Sequence, residues 1–225
     1  MTPFISNPLY QRTSGIPDPA DLPPYEHFIK SMEIGYMEWH DGIGYAIEEF
    51  PNMEDSQLQR IESILIERKD RDWRDVEALA ALNTPAAAQA LKDCLHNSNL
   101  EARLFAVRYL KELNIQDSVE EVLLKTLPET TIGGGMTFAL QLIESYPTER
   151  LKQLLLWCSQ YGNKDIRIHC AALALYLYGV TDKAFDGEQK IIFAFREENP
   201  EKRRPAFLEL CRMVNVYPDR LPSFT

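Results

Sequence analysis

The sequence predicts an all-α protein: a solenoid of about five helix pairs behind an N-terminal cap that is not part of the repeat. Apolar residues recur at helical spacing almost without interruption after Pro51, no alternating stretch is long enough to compete as a strand, and an acid-x-Arg element returns at solenoid intervals. The chain has 225 residues, 45% of them apolar and 26% charged, which suits one compact folded unit rather than a fibrous or disordered chain.

Six of the 14 prolines fall in residues 1–24, where Pro17, Pro19, Pro23 and Pro24 break any continuous helix, so this stretch is expected to be an extended arm. Residues 25–51 bring back aromatics (Tyr25, Phe28, Tyr36, Trp39, Tyr45, Phe50) interrupted by Gly35, Gly42 and Gly44, the pattern of one or two short helices joined by a glycine turn and closed by Pro51. Residues 52–214 form the predicted solenoid, followed by a tail over 215–225. Within it, Leu151, Leu154, Leu155 and Cys158 follow i, i+3, i+4, i+7, as do Ala139, Leu142, Ile143 and Tyr146, and Phe207, Leu210, Cys211 and Val214. Thr84-Pro85 supplies an N-cap and an N1 proline, Pro147 separates two helices, and Gly179 marks a stop. About ten helices of roughly 10–16 residues result.

The repeated element is Asp72-Trp-Arg74, Glu101-Ala-Arg103, Asp165-Ile-Arg167 and Glu201-Lys-Arg203, with a small residue (Ala106, Cys170, Ala206) three positions after three of the arginines. The arginines are 29 residues apart in the first pair and 36 in the last, and the 64 residues between Arg103 and Arg167 leave room for a degenerate unit built on Gly133-Gly134-Gly135-Met136. An acid in a helix's first turn complements the helix dipole, and a small residue lets the partner helix approach. The arginine can lie along a neighbouring helix and bond an acid or carbonyl of the adjacent unit.

These segments resemble a known family. NSNLEARLFAVRYLKEL (97–113) and GNKDIRIHCAALALYLYG (162–179) look like the second helix of HEAT-like repeats, Asp-x-x-Val-Arg-x-x-Ala with a leucine further on. The resemblance covers residues 52–214 and implies a right-handed α-α superhelix with the second helices on the concave side. A narrower resemblance, carried by Trp39–Tyr45 (WHDGIGY) and Trp73–Ala87 (WRDVEALAALNTPAA), is to small bacterial HEAT-like proteins that serve as accessory or immunity proteins of polymorphic toxin systems.

Charge narrows the function. The chain holds 24 Lys plus Arg against 34 Asp plus Glu, net −10, which disfavours a phosphate backbone as partner. The first 66 residues carry 11 acids and 3 bases (net −8), whereas residues 67–225 carry 23 acids and 21 bases (net −2). No basic n-region precedes an apolar core at the start, and the longest apolar run, Cys170–Tyr178, is too short to span a bilayer, so a cytoplasmic protein with no membrane partner is expected. The cysteines (Cys94, Cys158, Cys170, Cys211) form no CxxC pair and fit buried reduced thiols, and no metal site is expected.

The most suggestive cluster is Glu33, Glu38, Asp41, Glu48 and Glu49 interleaved with Tyr36, Trp39 and Tyr45: aromatic anchors with carboxylates that steer a basic protein partner, or a capping surface with its aromatics folded inward. The four arginines could make a phosphate ladder, but companion acids favour pairing within the fold. The triple glycine lacks P-loop register, and His27, His40, His96 and His169 show no metal or catalytic spacing, His40-Asp41 being the nearest imitation of an acid-base pair. The expected function is therefore a non-enzymatic binding protein without a cofactor, and the narrower resemblance implies an immunity protein that neutralises a basic, nucleic-acid-targeting toxin. The alternatives are a general scaffold or assembly chaperone, and a HEAT-like DNA glycosylase using Asp72, Trp73 and Arg74.

Overall fold

The computed structural model describes residues 22–69, 71–113 and 119–224, and among them no β-strand occurs. The helices are α1 (Pro24–Ser31), α2 (Tyr36–His40), α3 (Asp55–Arg68), α4 (Trp73–Leu82), α5 (Pro85–Cys94), α6 (Leu100–Glu112), α7 (Val119–Thr126), α8 (Met136–Ser145), α9 (Glu149–Tyr161), α10 (Arg167–Leu177) and α11 (Pro200–Met213). Short 3₁₀ segments fill Ile47–Asn52, Leu127–Glu129, Lys190–Arg196 and Pro218–Arg220. The chain divides into two compact units, residues 1–61 and 62–225, with the boundary inside α3 rather than at Pro51.

Most of the predicted arm lies outside the described residues. Its last two prolines start a helix instead of preventing one: Pro23 is the N-cap of α1 and Pro24 its first residue, where a missing N–H costs nothing. In this unit Phe28, fully buried, meets Tyr45 edge-on at 5.9 Å and Phe50 at 5.0 Å. The Ser31 hydroxyl donates to the Phe28 carbonyl (2.7 Å) and accepts from the Ala46 N–H (2.9 Å), pinning α1 to the segment after α2.

In the unit of residues 62–225, α4 packs on α5 and α6, α6 on α7 and α8, α8 on α10, and α9 on α7, α10 and α11. Val76, Leu79, Leu91, Leu104, Leu123, Ile143, Leu154 and Leu155 are wholly buried in it. The predicted Thr84 cap forms, its hydroxyl accepting the Ala87 N–H, and Asp72, expected as a first-turn acid, instead caps α4 by accepting the Arg74 N–H. The tail folds back onto α9, where Phe224 sits edge-on to Trp157 at 6.1 Å.

The repeated motif is longer than acid-x-Arg. An asparagine stands four residues before Arg103, Arg167 and Arg203, and the side chains of Asn99, Asn163 and Asn199 accept the N–H of Glu101, Asp165 and Glu201. Two of them also reach back by about one repeat, Asn99 donating to the Arg71 carbonyl (3.1 Å) and Asn163 to those of Pro128 (3.2 Å) and Thr130 (2.8 Å). Asn99 and Asn199 thus cap α6 and α11, Asn163 closes the turn just before α10, and Asn99 and Asn163 also tie their turns to the preceding loop.

The glycine run makes a tight turn: Thr131 and Gly134 exchange backbone hydrogen bonds, and Gly135 takes φ +77° to start α8 without a side-chain cap. A Cβ on Gly135 would lie 2.9 Å from Leu104 Cδ1, so glycine is needed there for both conformation and space.

Candidate functional site

The segment from Gly35 to Ile43 folds as a single presented turn. The Glu38 carboxylate accepts the Gly35 N–H at 3.1 Å and so starts α2, Gly42 turns the chain at φ +65°, and the Ile43 N–H returns to the Glu38 carbonyl at 2.9 Å. A helix of one turn cannot bury apolar residues on every side. Tyr36 is 72% exposed, Met37 60%, Trp39 64% and Ile43 51%. The Tyr36 ring lies 6.2 Å from Trp39 and 5.9 Å from His40, tilted against both, so the rings form one surface. Monomeric proteins seldom leave such a contiguous apolar patch open unless it binds something.

The acidic residues around this patch are largely engaged within the unit. Glu33 pairs with Lys30, Asp41 meets His40 Nδ1 at 2.8 Å, Glu38 caps α2, and Glu49 meets His27 Nδ1 at 2.9 Å. The hydrogen bond from His27 holds the Glu49 carboxyl below the ordinary carboxylate range. Glu48 is exposed and makes no ion pair among the described residues. Tyr45, expected as an anchor, is instead a core residue at 4% exposure, because its ring closes over Phe28. Met37 and Ile43 belong to the patch and do not stand out in the sequence; the signal was the pair of glycines bounding a helix too short to have an inner face.

The arginines serve the fold. Arg74 is buried and bonds both oxygens of Asp72 at 3.1 Å, while Arg103 donates to the Asn97 carbonyl, Thr126 and Glu129. Arg167 and Arg203 have no carboxylate partner among the described residues. Arg167 Nε donates to the Phe195 carbonyl (3.0 Å), and Arg203 donates to the carbonyls of Glu197, Glu198 and Gln160. The expectation of acid pairing therefore holds for Arg74 and Arg103 and fails for the other two, where helix-end carbonyls take its place.

The glycosylase-like trio is likewise structural: Asp72 caps α4, Arg74 lies 4.5 Å from the Trp73 ring, and Trp73 stacks on Phe105 at 4.8 Å. Phe105 continues to Phe138 at 4.6 Å, an aromatic run across α6 and α8 that the sequence reading missed. A cleft of about 720 Å³ beside α6 and α7 is lined by His96, Arg103, Glu121, Lys125, Glu129 and Arg150, and its arginines are already paired with Glu120, Glu121 and Glu129. All four cysteines are buried thiols outside any disulfide. Among the described residues no three His, Cys, Asp or Glu side chains gather as metal ligands, and no helix is long and apolar enough to cross a membrane.

No family model matches the chain, and no curated protein or solved structure matches it significantly.

Proposed function

We propose that this chain is a non-enzymatic protein-binding module, a HEAT-like right-handed α-α solenoid with an N-terminal cap, that docks a basic protein through the Tyr36–Ile43 patch. The partner that fits best is a nucleic-acid-targeting toxin, inhibited by having its basic active surface covered. One observation carries the reading: four large apolar side chains stand half or more exposed within eight residues, in a unit whose described part (22–61) has 8 acids and 2 bases. Rings of this kind supply affinity at an interface, while surrounding carboxylates choose a basic partner and speed the encounter.

The test is co-expression with the products of neighbouring genes, followed by co-purification and a toxicity assay. A stable complex that protects the cell supports the reading, provided that Trp39→Ala with Tyr36→Ala abolishes both while leaving the thermal unfolding midpoint in place. A complex that confers no protection supports a scaffold instead, and the absence of any complex removes the binding role.

A further inference from the structure

The unit of residues 62–225 carries an apolar cleft of its own. Between α8 and α10, under the loop that follows α10, Met136, Leu140, Leu173, Ala184 and Phe185 line an open cavity of about 320 Å³. Met136 and Leu173 form a buried floor, and Phe185 stands 45% exposed as one wall. This is the low end of the size range of small-molecule sites and offers few converging polar groups, so it suits a side chain entering from a partner better than an enclosed ligand.

Charge selects the kind of partner. Glu144 lies on the lip and has no partner among the described residues, while the loop carrying the Phe185 wall holds Asp182, Asp186 and Glu188 against Lys183. His169 is the cleft's one potential cation. Its ring lies against Phe185 at 5.4 Å, and burial lowers its pKa, so it adds no positive charge at neutral pH. A second copy of this chain, net −10, would bring like charge to an acidic lip.

We propose that the α8–α10 cleft docks a basic amphipathic peptide segment, with one large apolar side chain seated against Leu140, Leu173 and Phe185 and flanking Lys or Arg residues facing Glu144 and the 182–188 loop. This site shares no residue with the Tyr36–Ile43 patch.

The experiment is fluorescence anisotropy of the full chain with a labelled helical peptide bearing Leu on one face and Lys elsewhere, against the same peptide with Glu for Lys. The Lys peptide is expected to bind at least about tenfold more tightly. Phe185→Ala and Glu144→Lys, both at exposed positions, should each weaken it about tenfold with unchanged thermal unfolding, while Trp39→Ala has no effect. Equal binding of the two peptides, no binding of the Lys peptide, indifference to both cleft variants, or loss on Trp39→Ala would each overturn the proposal.

Discussion

Replacing Arg203 by Met should cost far more stability than replacing its companion acid, Glu201, by Gln. Arg203 is 4% exposed, and its guanidinium makes three charge-assisted bonds to carbonyls, from Nη1 to Glu197 (2.5 Å) and Glu198 (2.7 Å) and from Nη2 to Gln160 (2.5 Å) at the end of α9. Methionine keeps most of the length and apolar contact but leaves those carbonyls without donors, each worth about 1–3 kcal/mol when stranded. Part of this is returned, because burial and then the nearby Arg167 charge both disfavour the Arg203 cation, lowering its pKa. A net loss of about 3 kcal/mol follows, at the lower edge of what breaking a buried charged contact costs. Glu201 is exposed and contributes only through the α11 dipole, about 0.3–1 kcal/mol.

Urea titration followed by tryptophan fluorescence measures both changes. A Trp39→Phe background leaves Trp73 and Trp157, which lie in the unit of residues 62–225, as the only reporters of its unfolding. If Glu201→Gln costs as much as Arg203→Met, or Arg203→Met costs under about 1 kcal/mol, then acid pairing and not carbonyl capture explains the recurring arginine.

Gly135→Ala should destabilise the same unit by about 1–2 kcal/mol, since alanine is strained at φ +77° and its methyl would press on Leu104; an unchanged urea midpoint would refute this. Burial lowers the His169 pKa, so the unfolded chain takes up its proton first and the stability present above about pH 6.5 falls as pH drops. Melting temperature should therefore decline less between about pH 7 and 5 in His169→Gln than in the parent, and parallel curves would contradict it. Burial pushes the Cys211 thiol up to about 11, and burial first and then Cys158 raise Cys170 well above its usual value. A thiol reagent at about pH 8 should label none of the four cysteines until urea is added, and rapid labelling of the native chain would count against the packing.

The helices were legible because their period and punctuation agree: Thr84-Pro85 announces α5, and Leu151, Leu154, Leu155 and Cys158 are all buried along one face of α9. Less visible was what the repeated motif does. Acid and arginine two residues apart invite an ion pair, yet Arg203 turns to carbonyls, two of them just before α11 and the third, that of Gln160, a neighbour only after α9 and α11 have packed, a relation no local spacing encodes. Neither the capping by Asn99 and Asn199 nor the second bonds of Asn99 and Asn163 to the preceding loop entered that expectation. At the patch, composition located the segment but not the facing of its rings. Tyr45 and Trp39 are both aromatic among acids, and only the contact of Tyr45 with Phe28 separates the buried ring from the presented one.

This division bears on how a partner would be held. Glu33, Glu38, Asp41 and Glu49 already have partners inside their own unit, so a docking protein must compete for them or meet them as exposed pairs worth little individually. The rings of Tyr36 and Trp39 have no such prior claim. Trp39, at 64% exposure, offers about 150 Å² of surface, equivalent to about 4 kcal/mol if fully covered, more than any of the surrounding carboxylates can add at a wet rim. Residence time would then be set by the rings, and the acidic surroundings would act on the approach. Raised salt should slow association with a basic partner more than it hastens release, whereas Trp39→Ala should act on release. An interface built mainly on ion pairs would show the reverse.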